Sequence, residues 1–371
     1  MAHSPVHPFF GRHPVPGPRV RLGLMVAQDG SAGLWSPSAI ASADLAVQEL
    51  NLQGGILGRE IELVTMDCGA SGAIAAGNAR DSLEIDGISA MIGMFPSYAR
   101  ADVAAAVGRR IPFLYTPQFE GGETRASVIT TGETTAELLG LAVDWLVEHR
   151  RARRFFLCGS DYRWPRESFT VARRIISDCG GSVLGESFQH IGDHNYDLVL
   201  QAIADSAADT VVPMFLGLDA VAFNRAFAAS GLARHVLRCA PGLDETILYG
   251  LSPEDTENLY SVAGYFASHR SANNGGWLER YHMRFGDNPP PANCYGQSAY
   301  EGIYALAALA EASGSLDPAL VRRALGRTAP QRSARNGRAT PAIGARPNLL
   351  LAEIDGYDIR ILREGRSCRP I

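Results

Sequence analysis

The chain contains no lysine. All 34 of its basic residues are arginine, which excludes a lysine Schiff base, the lysine of a phosphate-binding P-loop and a catalytic lysine dyad. The bias reads as compositional rather than mechanistic. Paired cysteines are also lacking. Cys68, Cys158, Cys179, Cys239, Cys294 and Cys368 are scattered, with no CxxC pair. Several fall in apolar, strand-like runs, as buried free thiols do, and they read as reduced and structural, which favours the cytoplasm. No run approaches the ~20 apolar residues of a membrane span. The net charge of −5 gives no reason to expect nucleic acid or an anionic membrane as partner.

Catalytic signatures are missing too. There is no GxSxG elbow, GxGxxG fingerprint, P-loop, HExxH or EF-hand loop. His3, His7 and His13 lie near the N-terminus and the other histidines stand apart, so no metal site is expected. Carboxylate pairs such as Asp244–Glu245 read as solvated loop surface. No nucleophile is nominated together with its base, so neither an enzyme nor a cofactor is expected.

What is present is length and alternation. At 371 residues with 46% apolar content, the chain is long enough for two domains with a sizeable core. A Pro-rich leader, residues 1–18, lacks an apolar h-region and reads as flexible rather than as a secretory signal. From Val20 short apolar runs alternate with helical periods. Strands are predicted at 19–26, 60–66, 88–93, 111–115 and 128–131, then at 153–158, 182–188, 209–215 and 235–240. Helices between them include 37–50, 73–85, 97–109, 136–149, 166–179, 196–206 and 219–230. Two βα series of similar length imply an α/β fold of two doubly wound, parallel-sheet lobes. A strand at 260–266, surplus helices at 276–285, 295–312 and 318–326, and a hairpin turning at Asp355–Gly356 follow. The helices are expected to return to the first lobe. Residues 326–347, with Arg327, Arg332, Arg335, Arg338 and Arg346, read as a solvated connection, with a basic docking loop as the alternative.

Open α/β sheets place ligands at the carboxyl ends of their strands. The stretch GSDYRWPRES, Gly159 to Ser168, follows an apolar strand and precedes a helix expected to start near Pro165. It presents Tyr162 and Trp164, either as walls of a ligand pocket or as a packed strand–helix corner. Two further strand-end loops carry Phe95–Pro96–Ser97–Tyr98 and Tyr115–Thr116–Pro117–Gln118–Phe119. Ser97 is the best polar anchor for a carbonyl or carboxylate oxygen, and equally reads as a plain helix N-cap.

GSDYRWPRES, YTPQFEG (Tyr115 to Gly121) and LAVQELNLQGGILGREIEL (Leu45 to Leu63) together resemble type I periplasmic-binding proteins. Within that family they resemble the urea and short-chain-amide branch, which includes a cytoplasmic amide sensor of an amidase operon. The resemblance spans residues 19–362. It implies lobes of 19–132 plus 265–338 and of 133–264 plus 339–371, crossing near Gly132, Ala263 and Arg338. It implies a neutral amide-like ligand between the lobes, held by Ser97, Tyr115, Tyr162 and Trp164. Phe95, Thr116 and Pro117 would line the site, and Leu218, Asp219 and Gly242 would approach from the second lobe. Phe95 and Trp164 stand where the sensor branch has smaller or hydroxylated rings, so the site should be more apolar. For an amino-acid ligand, Asp219, Glu120 or Glu245 would have to meet the ammonium. The role implied is a non-catalytic cytoplasmic sensor acting through a protein partner, an RNA-binding antiterminator. The alternative is the solute-binding component of an ABC importer for urea, amides or branched amino acids, which would require an exported leader. A homo-oligomer is left open.

Overall fold

In a computed structural model of the chain, residues 17–327, 333–335 and 348–366 are described. The N-terminal histidines, Cys368 and the expected crossover at Arg338 lie outside them.

The first sheet collects β1 (Val20–Val26), β2 (Ile61–Asp67), β3 (Ala90–Met94), β4 (Phe113–Tyr115) and β5 (Val128–Thr130), in the order β2-β1-β3-β4-β5. All its pairings are parallel. Helices α1 (Ser36–Leu52), α2 (Gly72–Asp81) and α3 (Arg100–Val107) connect these strands. Strand β3 is buried along its whole length, as a strand covered by helices on both faces must be. α1 stops at Gly54–Gly55, both in the left-handed region with φ of 104° and 74°.

The second sheet holds β6 (Arg154–Ser160), β7 (Ser182–Gln189), β8 (Thr210–Met214), β9 (Leu237–Pro241) and β10 (Leu259–Ala263). β11 (Leu349–Asp355) and β12 (Asp358–Gly365) complete the order β12-β11-β10-β9-β8-β6-β7. Its first five strands pair in parallel, while β11 and β12 add antiparallel at the edge. The lobe is therefore parallel-dominated rather than purely parallel. Helices α4 (Thr135–His149), α5 (Arg163–Asp178), α6 (Asp197–Asp205), α7 (Leu218–Ala229) and the short α8 (Glu245–Leu248) connect it. α4 opens with a capping box, Thr134 and Glu137 each bonding the other's backbone N–H.

After β10 the chain returns to the first lobe as α9 (Ala272–Phe285), α10 (Cys294–Ser313) and α11 (Pro318–Arg323). α10 packs against α1 and β3. A buried carboxylate pins the contact. Glu49 of α1 accepts from the hydroxyls of Tyr300 and Tyr304 at 2.6 and 2.7 Å and from Arg280 Nε at 2.6 Å. Burial alone would raise its pKa, but these donors outweigh burial and hold the carboxyl below its ordinary value. No helix among the described residues is long and apolar enough to cross a membrane.

Two expected boundaries shift. The third helix starts at Arg100 with Ala99 at its cap, not at Ser97, which sits in the turn before it. The helix after β6 starts at Arg163, so Trp164 lies in its first turn instead of the preceding loop.

Candidate functional site

Each sheet reverses strand order once, between β1 and β3 in the first and between β6 and β8 in the second. At such a switch point adjacent connections leave to opposite faces, opening a crevice at the strand ends. The two crevices face one another across a single cavity of about 710 Å³, counted with its mouth. From the first lobe come Ala27 after β1, Met94 to Ser97 at the end of β3, and Tyr115, Pro117 and Gln118 at the end of β4. Trp35, just before α1, and Tyr295 of α10 complete that side. From the second come Tyr162, Trp164, Phe215, Leu216, Ala240 to Leu243, and Ile247.

Among the described residues none of the lining side chains carries a formal charge, and aromatic rings dominate. Phe95 meets Tyr115 edge-on at 5.4 Å, Tyr162 lies 6.4 Å from Trp164, and Trp35 lies 4.1 Å from Tyr295. Most polar groups of the wall are already occupied. Tyr115 donates its hydroxyl to the Phe95 carbonyl at 2.7 Å. Trp164 donates its indole N–H to Thr135 Oγ1 at 3.2 Å. Tyr295 accepts from Gln118 Nε2 at 3.1 Å and donates to the Gly242 carbonyl at 3.4 Å. Gly242 has φ of 78°, and a Cβ there would fall on the Gln118 amide, so any other residue would strain the backbone and displace Gln118. Ser97 differs. Its Oγ is buried in the wall with no hydrogen-bond partner, and an orphaned buried hydroxyl costs ~1–3 kcal/mol until something pairs with it.

The structure thus brings Phe95, Ser97, Tyr115, Pro117, Tyr162, Trp164 and Gly242 to one wall. Thr116, Leu218 and Asp219 are not part of it. Thr116 is buried toward α10, donating to the Gly93 carbonyl at 3.3 Å and accepting from Ser298 Oγ at 3.4 Å. Leu218 is half exposed, and its N–H donates to the Ser31 carbonyl of the other lobe at 2.9 Å. Asp219 receives Ser31 Oγ at 2.6 Å, Ser160 Oγ at 3.3 Å and the Gly192 N–H at 3.2 Å, with His194 Nε2 3.2 Å away. The two Ser31 contacts, with Gln118 to the Pro241 carbonyl at 3.4 Å and Asn293 to Thr246 at 2.7 Å, hold the lobes together around the cavity.

Neither other candidate acid lines the cavity. Glu120 is engaged by Arg100 at 2.5 Å and by Arg163 at 2.9 Å, and the Arg100 guanidinium lies 4.9 Å from the centre of the Tyr115 ring. The expectation of solvated Asp244 and Glu245 is overturned, because both are buried. Asp244 caps α8, Oδ1 accepting from the Ile247 N–H at 3.1 Å, while Oδ2 has no full hydrogen bond. Burial pushes the carboxyl up to about 7, against the lowering effect of the Ile247 N–H and, behind it, of the Trp35 indole N–H. Glu245 Oε1 accepts from the Ala267 N–H at 2.6 Å and Oε2 has no partner. Burial, then the Asp244 charge, pushes it up to about 8.

Trp35, Phe215 and Tyr295 were not foreseen as site residues. Trp35 follows the loop at the end of β1, so the strand-end rule that nominated the other loops covers it. Tyr295 comes from a helix of the return segment and carries no local signal. Among the described residues no group of three or more His, Cys, Asp or Glu could hold a metal ion.

Two doubly wound lobes closing on an uncharged cavity define a two-lobed ligand-binding protein. The chain belongs to the periplasmic binding protein family, whose model it matches over residues 19–341. It is similar in fold to a periplasmic binding protein from Burkholderia mallei, with a TM-score of 0.82 and 16% identity over 94% of this chain and 95% of that one. It is similar to the branched-chain amino acid transporter substrate-binding protein LivJ from Streptococcus pneumoniae, in complex with isoleucine. There the TM-score is 0.77 at 16% identity, covering 93% of this chain and 99% of that one. A third is an ABC transporter solute-binding protein from Rhodopseudomonas palustris HaA2 in complex with p-hydroxybenzoic acid. Its TM-score is 0.79 at 18% identity, covering 94% and 98%. At such identities the likeness speaks for the fold.

Proposed function

We propose that this chain is the solute-binding component of an ABC importer, and that it takes a small uncharged organic solute between its lobes. The observation that carries this reading is the orphaned Ser97 hydroxyl in a wall without formal charge. A carbonyl oxygen from an amide-like ligand would pair with it, while the rings of Tyr115, Tyr162 and Trp164 bury the ligand body. The family supports the importer role, as do neighbours whose names give that role. Their isoleucine and p-hydroxybenzoic acid both carry a carboxyl group, which Ser97 could also serve. An amino acid is less well supported here, because among the described residues no acidic side chain lines the cavity to meet an ammonium and an unpaired one is costly. The lobes are proposed as residues 19–132 with 265–338 and 133–264 with 339–371, in line with the membership of the two sheets. The importer role requires export and so replaces the cytoplasmic expectation with a periplasmic one.

The amide sensor with an antiterminator partner is the second reading. It rests on GSDYRWPRES and YTPQFEG and on the neutral wall. The two readings share a ligand class and separate by partner: uptake of the bound solute by cells should depend on this chain only under the first. The site itself is tested by thermal unfolding with benzamide, acetamide, urea, benzoate and isoleucine. A ligand of the native state raises the midpoint by mass action. Neutral amides should do so, and Ser97→Ala should weaken the best of them by ~0.5–1.5 kcal/mol, the worth of one neutral hydrogen bond. A rise with isoleucine alone, or full affinity in Ser97→Ala, would refute the site as drawn.

A further inference from the structure

The segment that passes back from the helices of the first lobe to β11 includes the described residues Ser333, Ala334 and Arg335. Arg335 was expected to be solvated, and it is buried. Its guanidinium is gripped on three sides. Nε donates to both carboxylate oxygens of Glu301 in α10 at 2.9 Å, and Nη2 pairs with the same group. Nη1 pairs with Glu133 and reaches the Gly264 carbonyl at 3.5 Å. Ser333 Oγ also donates to Glu301.

The positions of these partners matter more than their number. Glu133 stands between β5 and α4, where the chain first passes from one sheet to the other. Gly264 directly follows β10, where it passes back. A single side chain on the third passage therefore holds the first two and ties both to α10. A side chain at Gly264 would push the pin aside, since its Cβ would lie on the Glu133 carboxylate and the Arg335 guanidinium. A planar fork of five donors can reach two carboxylates and a carbonyl at once, which a lysine ammonium on its single point of charge cannot.

We propose that Arg335 is a positioning residue for the binding site, a hinge pin that sets the angle between the lobes and so the closure of a cleft it does not line. Buried ion pairs contribute little net stability after desolvation, and their best-attested use is to hold one arrangement among several. The inference rests on the two-lobed receptor reading, in which closure is what buries the ligand.

The test uses the full chain without ligand, read by hydrogen exchange. The Leu218 N–H, bonded to Ser31 across the cleft, reports closure, and core amides such as Ile92 in β3 and Val212 in β8 report global stability. In Arg335→Met the Leu218 amide should exchange roughly tenfold faster relative to the core amides, which themselves lose some protection because Glu133 and Glu301 are left without their cation. Arg335→Lys should retain the core protection without restoring Leu218. Should Arg335→Met not fold, Gly264→Ala displaces the pin with every charge retained and should give the same signature. Unchanged Leu218 protection in the folded variants would overturn the hinge inference alone. Leu218 and the core accelerating in step would overturn it as well, since that marks lost stability rather than a loosened hinge. If Leu218 in the wild type exchanges only by global unfolding, the lobes do not open and the receptor reading falls with the inference.

Discussion

Asp244 and Glu245 should make this protein more stable in mild acid than at neutral pH. Both carboxyls are buried, each has one oxygen without a partner, and both are raised, to about 7 and about 8. Between the ordinary carboxylate range and these values the folded chain keeps protons that the unfolded chain has released. Stability therefore falls as pH rises through that window and levels off above it. One proton held across one pH unit is worth ~1.4 kcal/mol. From pH 5 to pH 7 the two carboxyls together should cost on the order of 4–5 kcal/mol, a large share of a typical ~5–15 kcal/mol total. The perturbation is Asp244→Asn combined with Glu245→Gln. Asparagine caps a helix as well as aspartate does, and both amides keep the carbonyl oxygen that now accepts a backbone N–H. The assay is urea unfolding at several pH values between 5 and 8, compared as the difference between variant and wild type so that the histidines cancel. The variant should gain on the wild type by the stated amount as pH rises. Parallel curves would refute the reasoning, because they would mean that both carboxylates ionise in the fold at no cost.

Gly217 has φ of 49°, and a Cβ there would fall on the Ser31 carbonyl of the other lobe and 2.9 Å from Leu34 Cδ2. Gly217→Ala should hold the cleft ajar and weaken binding of any amide found in the thermal screen by roughly tenfold or more, with a smaller effect on the unfolding midpoint; undiminished affinity by calorimetry would show that closure does not require this contact. Glu49→Gln should cost ~1.5–3 kcal/mol at neutral pH, the worth of hydrogen bonds to a charged group. Because the Glu49 carboxyl is held below its ordinary value, that cost should shrink as pH falls below ~4, as chemical unfolding at two pH values would record.

The alternation of buried strands and amphipathic helices was legible because it is local. A strand such as β3, buried throughout, announces itself as an apolar run whatever packs on it. The glycine stop after Leu52 is likewise read from the chain directly. The strand-end loops read from the sequence line the cavity, because switch-point geometry follows from the fold class.

Which side chain of each loop meets the cavity was a different matter. Tyr115 and Thr116 are neighbours at the end of β4, and consecutive residues of an extended chain point to opposite faces. Tyr115 lines the cavity while Thr116 is turned toward Ser298. Ser97 keeps its hydroxyl free because the helix starts three residues after it, at Arg100. Asp244 and Glu245 read as surface until Ala267 and Trp35, both distant in sequence, close over them. Arg335 sits in a segment rich in arginine and proline, with nothing in its neighbours to mark it as buried between Glu133 and Glu301. Periodicity and turn chemistry act over a few residues and were enough to determine two α/β lobes from the sequence alone. Burial, orphaned polar groups and the hinge depend on groups that only tertiary packing brings into the same low-dielectric space, and these the structure decided.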